Sequence, residues 1–227
     1  KAIRRQRQMC IRDRADDDYE ITKYEVNVDI LDNGDARVRQ DVAYDFDGDF
    51  HGVYYNQDMR GIKGIRDVSA QVTQNGKTIE LEEGNSGADN TYGIVENNAQ
   101  NFKLKLYHKI SDDKAVFTYG YTLKQMVTCY NDTAELNWKV IGTGWDHSLH
   151  NVKITINLPK KNVDKLQAWT HGPLDGQTKV DKKAGRVIMT LDRNPSNTFV
   201  ETHMIFPKDI VPYSYNCLLY TSDAADE

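Results

Sequence analysis

The feature that most constrains the fold of this chain is an alternation of apolar and polar residues with a period of two. In YEVNVDI, from Tyr24 to Ile30, every second residue is apolar. A hairpin turn signal, Asn33-Gly34, follows, and the alternation then continues to Phe46. Because successive side chains of a strand point to opposite faces, this segment is predicted to form a β-hairpin with one buried face.

The same alternation recurs along the rest of the chain. It is present in FKLKLYHKI, AVFTYGYTL, TAELNWKVI, VKITINL, VIMTL and VETHMIF, and Gln74–Lys77 gives a second hairpin turn. The segment 82–90, EEGNSGADN, is predicted to be an exposed loop, and no convincing helix of ten residues is found. The pattern predicts an all-β, antiparallel β-sandwich, immunoglobulin-like or related, with few or no helices. A single domain is expected, and two smaller β units meeting near Asn131 are the alternative.

The two ends of the chain differ from what lies between them. A single oligonucleotide, read on opposite strands, encodes both RRQRQMCIRDR at residues 4–14 and CLLYTSDAADE at residues 217–227. It resembles a transposase adapter used to prepare sequencing libraries. Residues 1–14 and 217–227 are therefore interpreted as non-native tails and excluded from fold reasoning. The domain is expected to span residues 15–212, with residues 213–216 as a truncated end.

The composition between the tails restricts the function. The tails hold six of the 29 Lys and Arg residues and four of the 34 Asp and Glu residues, so the remainder carries a net charge of −7. An acidic segment without a basic stripe disfavours nucleic acid as a partner. Cys129 is the one cysteine between the tails, which excludes an intrachain disulfide there. No run of eighteen apolar residues is present in the sequence.

Several segments resemble one bacterial family. They are YDFDGDFHGVYYN at residues 44–56, AELNWKVIGTGWDHSLHNVKITINLP at residues 134–159, THGPLDG and HMIFPKDIVP. In this order they are similar to the N-terminal region of YciQ-like predicted membrane proteins, the domain of unknown function DUF2207. One departure is Tyr55, where that family more often has Arg.

The resemblance implies a topology and no chemistry. Such proteins have a signal peptide, this β domain outside the cytoplasm, and then transmembrane helices. The resemblance therefore implies the extracytoplasmic face of a bacterial cell membrane, with the signal and the anchor in segments outside this sequence. It supplies no catalytic residues.

Two groups of residues are weak metal candidates. Asp45, Asp47 and Asp49 resemble the start of a calcium loop, but position twelve of that loop would be Asn56 where a bidentate Glu is needed. A solvated turn is the favoured interpretation. His147 and His150 have no recognisable third zinc ligand, and exposed histidines near a turn are favoured. No cofactor is predicted, with calcium as the alternative.

The remaining candidates form a binding surface. Trp138, Trp145 and Trp169 are candidates for an aromatic platform that binds a glycan or peptide. Trp138 is in register with apolar neighbours and is expected in the core. Trp145 lies between Gly144 and Asp146 and is the better candidate for exposure, but a tryptophan that folds over the end of the sandwich and closes the core is the favoured interpretation. Binding residues commonly lie on loops held by a rigid scaffold. The predicted ligand surface therefore comprises Phe50, His51, Tyr54, Tyr55, Trp145, Asp146 and His147.

The sequence shows no catalytic constellation. There is no Gly-x-Ser-x-Gly motif, and Cys129 has no nearby His in sequence. The leading hypothesis is a non-enzymatic ectodomain that binds, senses or assembles at the envelope, with a cell-wall component or another envelope protein as partner. The alternatives are an envelope hydrolase acting on cell-wall glycan or peptide, which would show two carboxylates across a groove, and a structural spacer.

Overall fold

A computed structural model describes residues 10–12 and 18–214 of the chain. These residues form strands and one short 3-10 helix, η1 (Lys208–Ile210). The strands are β1 (Cys10–Arg12), β2 (Asp18–Ile30), β3 (Ala36–Asp47), β4 (Asp49–Asp58), β5 (Ile65–Gln74), β6 (Lys77–Glu80), β7 (Glu82–Glu83), β8 (Thr91–Asn97), β9 (Asn101–Ser111), β10 (Lys114–Leu123), β11 (Val127–Cys129), β12 (Thr133–Ile141), β13 (Leu149–Asn157), β14 (Gln167–His171), β15 (Gln177–Asp181), β16 (Arg186–Asn194) and β17 (Val200–Pro207). Among the described residues, no helix has the length and apolar character needed to cross a bilayer.

The strands form three sheets. An eight-stranded sheet has the order β15-β16-β13-β2-β3-β10-β5-β6, a five-stranded sheet the order β1-β4-β9-β8-β7, and a four-stranded sheet the order β11-β12-β17-β14. The prediction of an all-β sandwich is confirmed. Most neighbouring strands are antiparallel, but β2 pairs with β13 and β7 with β8 in parallel. An alternating pattern shows which face of a strand is buried and carries no information on the direction of its neighbour.

Both predicted hairpins are present. β2 and β3 pair from Asp18↔Asp47 to Ile30↔Ala36, and Gly34 has a φ of +79° in the connecting loop. β5 and β6 meet at Gln74↔Lys77, with Asn75 and Gly76 both at positive φ. Two central residues at positive φ are the hallmark of a type I′ turn. The segment 82–90, predicted to be an exposed loop, is largely exposed, but its first two residues form the short strand β7.

Both smaller sheets cover the same face of the eight-stranded sheet. The five-stranded sheet packs over one half, where the Tyr55 ring lies 4.7 Å from that of Tyr119. Next to the four-stranded sheet, the Trp145 ring lies 5.3 Å from that of Tyr24. The buried residues of all three sheets form one continuous hydrophobic cluster.

A buried polar network lies in the middle of this cluster. The side-chain amide of Gln40, which has no exposed area, accepts a hydrogen bond from Tyr24 Oη (2.6 Å) and donates to the hydroxyls of Tyr55 (2.7 Å) and Tyr121. Those two hydroxyls lie 2.6 Å from each other, and both contact Gln57 Oε1. Gln57 in turn donates to the backbone carbonyl of Asp58 (2.9 Å), so the network reaches the end of β4.

The predicted boundaries lie mainly outside the described residues. Residues 1–9 and 13–17 are not described, nor are residues 215–227, which include the C-terminal tail. Three residues of the predicted N-terminal tail, Cys10–Arg12, form the edge strand β1 and pair with β4.

Candidate functional site

The structure corrects three members of the predicted ligand surface. Phe50, Tyr55 and Trp145 are core residues, exposed by 2 %, 2 % and 4 %. Residues 50–55 lie in strand β4 instead of a loop. The side chains of Phe50 and Tyr55 point into the sandwich. Trp145 covers Tyr24 at the end of the core. Apolar burial outweighed local loop character at these positions.

Tyr54 and His51, two other members of that surface, are half-buried on β4. The ammonium groups of Lys103 and Lys105 lie 4.9 Å and 5.0 Å from the centroid of the Tyr54 ring. Tyr54 is thus occupied by cation–π contacts within the five-stranded sheet.

The last two members, Asp146 and His147, belong to a polar cluster at one end of β2. Asp146 Oδ1 accepts a hydrogen bond from Tyr19 Oη (2.7 Å) and lies 3.0 Å from His147 Nδ1, while His147 Nε2 lies 3.2 Å from Asp18 Oδ1. Burial opposes ionisation of Asp146, but hydrogen bonds from His147 and Tyr19 outweigh it and lower the pKa of its carboxyl group. The same hydrogen bond with Asp146 raises the pKa of His147. These contacts form a chain of hydrogen bonds and ion pairs that connects β2 to the loop before β13.

The weak metal candidates have separate protein partners. Asp45 pairs with Lys114 (2.7 Å), Asp49 Oδ1 accepts a hydrogen bond from Ser111 (2.6 Å), and Asp47 is exposed. His150 lies 3.6 Å from a carboxylate oxygen of Glu20. Within residues 10–12 and 18–214, no group of three or more His, Cys, Asp or Glu side chains has the geometry to hold a metal ion.

A sizeable groove lies elsewhere, along the boundary between the two smaller sheets. This groove has a volume of about 530 Å³. Such a volume is typical of small-molecule sites, which range over roughly 300–1,000 Å³. Three parts of the chain line the groove. The first is the end of β4 with the segment after it (Asp58, Arg60, Gly61 and Ile62), and the second is β11 with the turn before it (Gln125, Met126 and Thr128). Strands β12 and β17 supply the third part (Glu135, Asn137, Trp138, Lys139 and Glu201).

Hydrogen bonds order two parts of the groove lining. Arg60 donates hydrogen bonds from Nε to both carboxylate oxygens of Asp58 (2.9 and 3.0 Å), and these bonds lower the pKa of Asp58. The backbone N–H of Gln125 donates to the buried carboxylate of Asp35 (2.9 Å), and that of Met126 donates to the carbonyl of Gly34 (2.9 Å). The turn before β11 is therefore fixed to the β2–β3 hairpin.

Strand β12 supplies one wall through its alternation. Leu136 points into the core, while Glu135, Asn137 and Lys139 point away from it. Trp138 is 5 % exposed and also lines the groove, and its indole Nε1 has no hydrogen-bond partner among the described residues. A buried donor without an acceptor is costly to the folded state.

An aromatic platform adjoins the groove on the outer face of the four-stranded sheet. Asn137, His203 and Trp169 lie in one row across β12, β17 and β14. Trp169 is 45 % exposed, and its ring centroid lies 5.4 Å from that of His203. His203 Nε2 lies 2.7 Å from one carboxylate oxygen of Glu135, whose other oxygen accepts a hydrogen bond from Tyr130 (2.7 Å). We refer to Trp169, His203, Glu135 and Tyr130 as the platform.

Sequence reasoning did not identify the groove, and it named Trp169 only as one of three tryptophans for an aromatic platform, without its neighbours His203, Glu135 and Tyr130. The exposed tryptophan is Trp169, not Trp145. The outward residues of β12 were visible as the polar half of its alternation, but their neighbours Trp169 and Asp58 are distant in sequence. No local pattern brings these segments together.

Comparison with known proteins places this scaffold in a family. Residues 20–206 match the family model described as the N-terminal domain of a predicted membrane protein, DUF2207. The chain belongs to the DUF2207 family. The resemblance inferred from the motifs is thereby confirmed. The family description assigns this domain to membrane proteins. Comparison with curated protein sequences gives no significant match.

Solved structures share the fold of this DUF2207 domain at low identity. A proposed nutrient-binding protein from Legionella pneumophila is 9% identical, with a TM-score of 0.52 over 90% of this chain and 71% of that one. A proposed protease from Parabacteroides distasonis is 12% identical, with a TM-score of 0.50 over 82% of this chain and 40% of that one. Leukotriene A4 hydrolase from Saccharomyces cerevisiae is 8% identical, with a TM-score of 0.51 over 83% and 29%. The DUF2207 domain thus spans about two fifths of the Parabacteroides protein, and at these identities the likeness concerns the fold alone.

Proposed function

We propose that this DUF2207 domain is a non-enzymatic recognition module on the extracytoplasmic face of a membrane-anchored protein, and that it binds a component of the cell envelope in the groove. The observation that carries the proposal is the groove itself, whose polar side chains surround a cavity of ligand size beside an exposed tryptophan. Membrane association is a property of the family, and an envelope component is a partner within reach of such a domain.

The state of the carboxylates supports binding over hydrolysis. Glycoside hydrolysis needs one carboxyl group that stays protonated near neutral pH and a second that is ionised. The Arg60 hydrogen bonds lower the pKa of Asp58, so this group is ionised at neutral pH. Glu135 accepts a hydrogen bond from Tyr130, and its other carboxylate oxygen lies 2.7 Å from His203 Nε2. An ionised Asp58 held by Arg60 suits a fixed hydrogen-bonding group and does not suit a proton donor.

The test is sedimentation of the purified domain with insoluble peptidoglycan sacculi. In the variant Asn137→Trp, a bulky ring at an exposed position fills the groove; Lys153→Trp makes the same change at an exposed position of β13. We expect the wild type and Lys153→Trp to sediment with sacculi and Asn137→Trp to stay in solution. Equal sedimentation of the two variants, or none for the wild type, refutes the assignment of the groove.

Two further measurements test the other parts of the proposal. Release of soluble sugar or peptide from the sacculi by the wild-type domain would show a hydrolase. For the location, an antibody against the domain is applied to intact cells that express the full-length protein. Staining without permeabilisation is expected, and staining that needs permeabilisation places the domain on the cytoplasmic side.

A further inference from the structure

We infer that the ligand of the groove is an uncharged sugar chain, one of whose rings stacks on Trp169. This inference rests on the proposed function and names the chemical class that the groove and the platform together select. Its first support is the balance of charge in the groove. Asp58, Glu135 and Glu201 contribute carboxylates, and Arg60 and Lys139 contribute cations.

These charges are engaged with one another and with aromatic rings. Arg60 pairs with Asp58, and the ammonium group of Lys139 lies 4.9 Å from the Phe199 ring. Lys139 and Asp58 both line the groove, and the positive charge of Lys139 contributes to the lowered pKa of Asp58. A polyanion would meet the carboxylates, and a polycation would meet Arg60 and Lys139. Neutral hydroxyl groups can donate to the carboxylates and accept from the cations without either penalty.

The second support is an exposed aromatic ring beside the groove. Stacking of an indole on the C–H face of a pyranose ring needs a flat, accessible aromatic surface, which Trp169 supplies at 45 % exposure.

The third support is the spacing of these features. Trp169 and Asn137 are separated by one strand, β17, so their backbones lie about 10 Å apart at the usual strand spacing. A chain of a few pyranose rings can therefore stack on Trp169 and reach the groove at the same time. His203 lies between them, with its Nε2 2.7 Å from a carboxylate oxygen of Glu135.

The fluorescence of the domain provides a direct assay. Trp138 and Trp145 are 5 % and 4 % exposed, so acrylamide quenching reports chiefly on Trp169. The probes are the tetramer of N-acetylglucosamine, which is neutral, and tetragalacturonate, a sugar chain of equal length that carries a carboxylate on each ring. We expect the neutral tetramer to shield Trp169 from acrylamide and tetragalacturonate to have no effect at the same concentration.

Variants measured by calorimetry separate stacking from folding. Trp169→Ala should weaken binding of the neutral tetramer by about tenfold or more, whereas Trp169→Phe, which keeps a flat ring, should weaken it by only a few fold. Leu174→Ala, at an exposed apolar position outside this row, is the matched control and should bind as the wild type does. Equal affinity of Trp169→Ala and the wild type, or preference for the anionic probe, overturns the inference.

The two proposals can fail separately. If the domain sediments with sacculi through the groove but no neutral tetramer binds, the sugar class is wrong and the binding function stands. If neither sacculi nor the tetramer binds, both are wrong. Binding of the tetramer that is unaffected by Asn137→Trp places the sugar outside the groove.

Discussion

The buried network around Gln40 makes a quantitative prediction about the stability of the sandwich. In Gln40→Leu, Tyr24 Oη loses the acceptor of its hydrogen bond at a fully buried position. A stranded buried hydroxyl costs about 1–3 kcal/mol. The two bonds that the Gln40 amide donates to Tyr55 and Tyr121 are also lost, at about 0.5–1.5 kcal/mol each. Those hydroxyls keep each other and Gln57, so they are not stranded. We therefore expect the free energy of unfolding to fall by about 3 kcal/mol.

A double-mutant cycle isolates the stranded hydroxyl. Tyr24→Phe removes that group, so the double variant should be less destabilised than the sum of the two single variants by about 1–2 kcal/mol. The measurement is equilibrium unfolding in urea, followed by the fluorescence of the buried tryptophans, with unchanged slopes as a condition for comparison. Tyr213→Phe, at a 67 % exposed position, is the control and should have almost no effect. If the Gln40 and Tyr24 effects add within about 0.5 kcal/mol, the network does not stabilise the core as argued.

Three further predictions concern other parts of the fold. Asp35→Ala removes a buried carboxylate that accepts three hydrogen bonds, one of them from Arg66, and should lower the free energy of unfolding by about 3 kcal/mol in the same urea assay. Asp67→Ala removes an exposed partner of Arg66 and should lower it by under about 1 kcal/mol. Gly52→Ala should lower the melting temperature sharply, because a Cβ there would lie 1.9 Å from the carbonyl oxygen of Leu106 at a φ of +145°; Gly142→Ala, in open space, should leave it nearly unchanged. The pKa of His147 is raised in the folded state. Its contribution to stability is therefore complete at a pH below the pKa of the unfolded state, about 6.5, and is lost as the pH rises through the pKa of the folded state. The stability difference between the wild type and His147→Gln should therefore shrink from about pH 6 to about pH 9, and a difference that grows over this range contradicts the assignment.

In this domain, local sequence strongly determines which side chains of a strand are buried. β12 illustrates it, because its alternation alone places Leu136 and Trp138 in the core and Glu135, Asn137 and Lys139 on the other side. The side-chain period of a strand is two, so this information is local and needs no knowledge of the partner strand. The turn at Asn75-Gly76 is local in the same way, because it depends on two residues that tolerate positive φ.

Loop character was a weaker guide. Trp145 lies between small and polar neighbours and was the better candidate for exposure among the tryptophans, although closure of the core was the favoured outcome; it packs edge-on against Tyr24 in the core. The favourable free energy of burying a large aromatic side chain depends on whether the fold leaves space for it. That space is formed by β2, more than a hundred residues earlier in the sequence.

The sequence by itself determined the class of fold, the two hairpins and the family, because each depends on patterns or motifs within short segments. Only the tertiary structure decided where a ligand can bind. The groove joins the end of β4 to β12 and β17, and the platform joins Trp169 to His203 and Glu135 across three strands. Strand order and the parallel pairing of β2 with β13 follow from the packing of the whole chain. A functional surface assembled from such distant segments has no counterpart in any local pattern of residues.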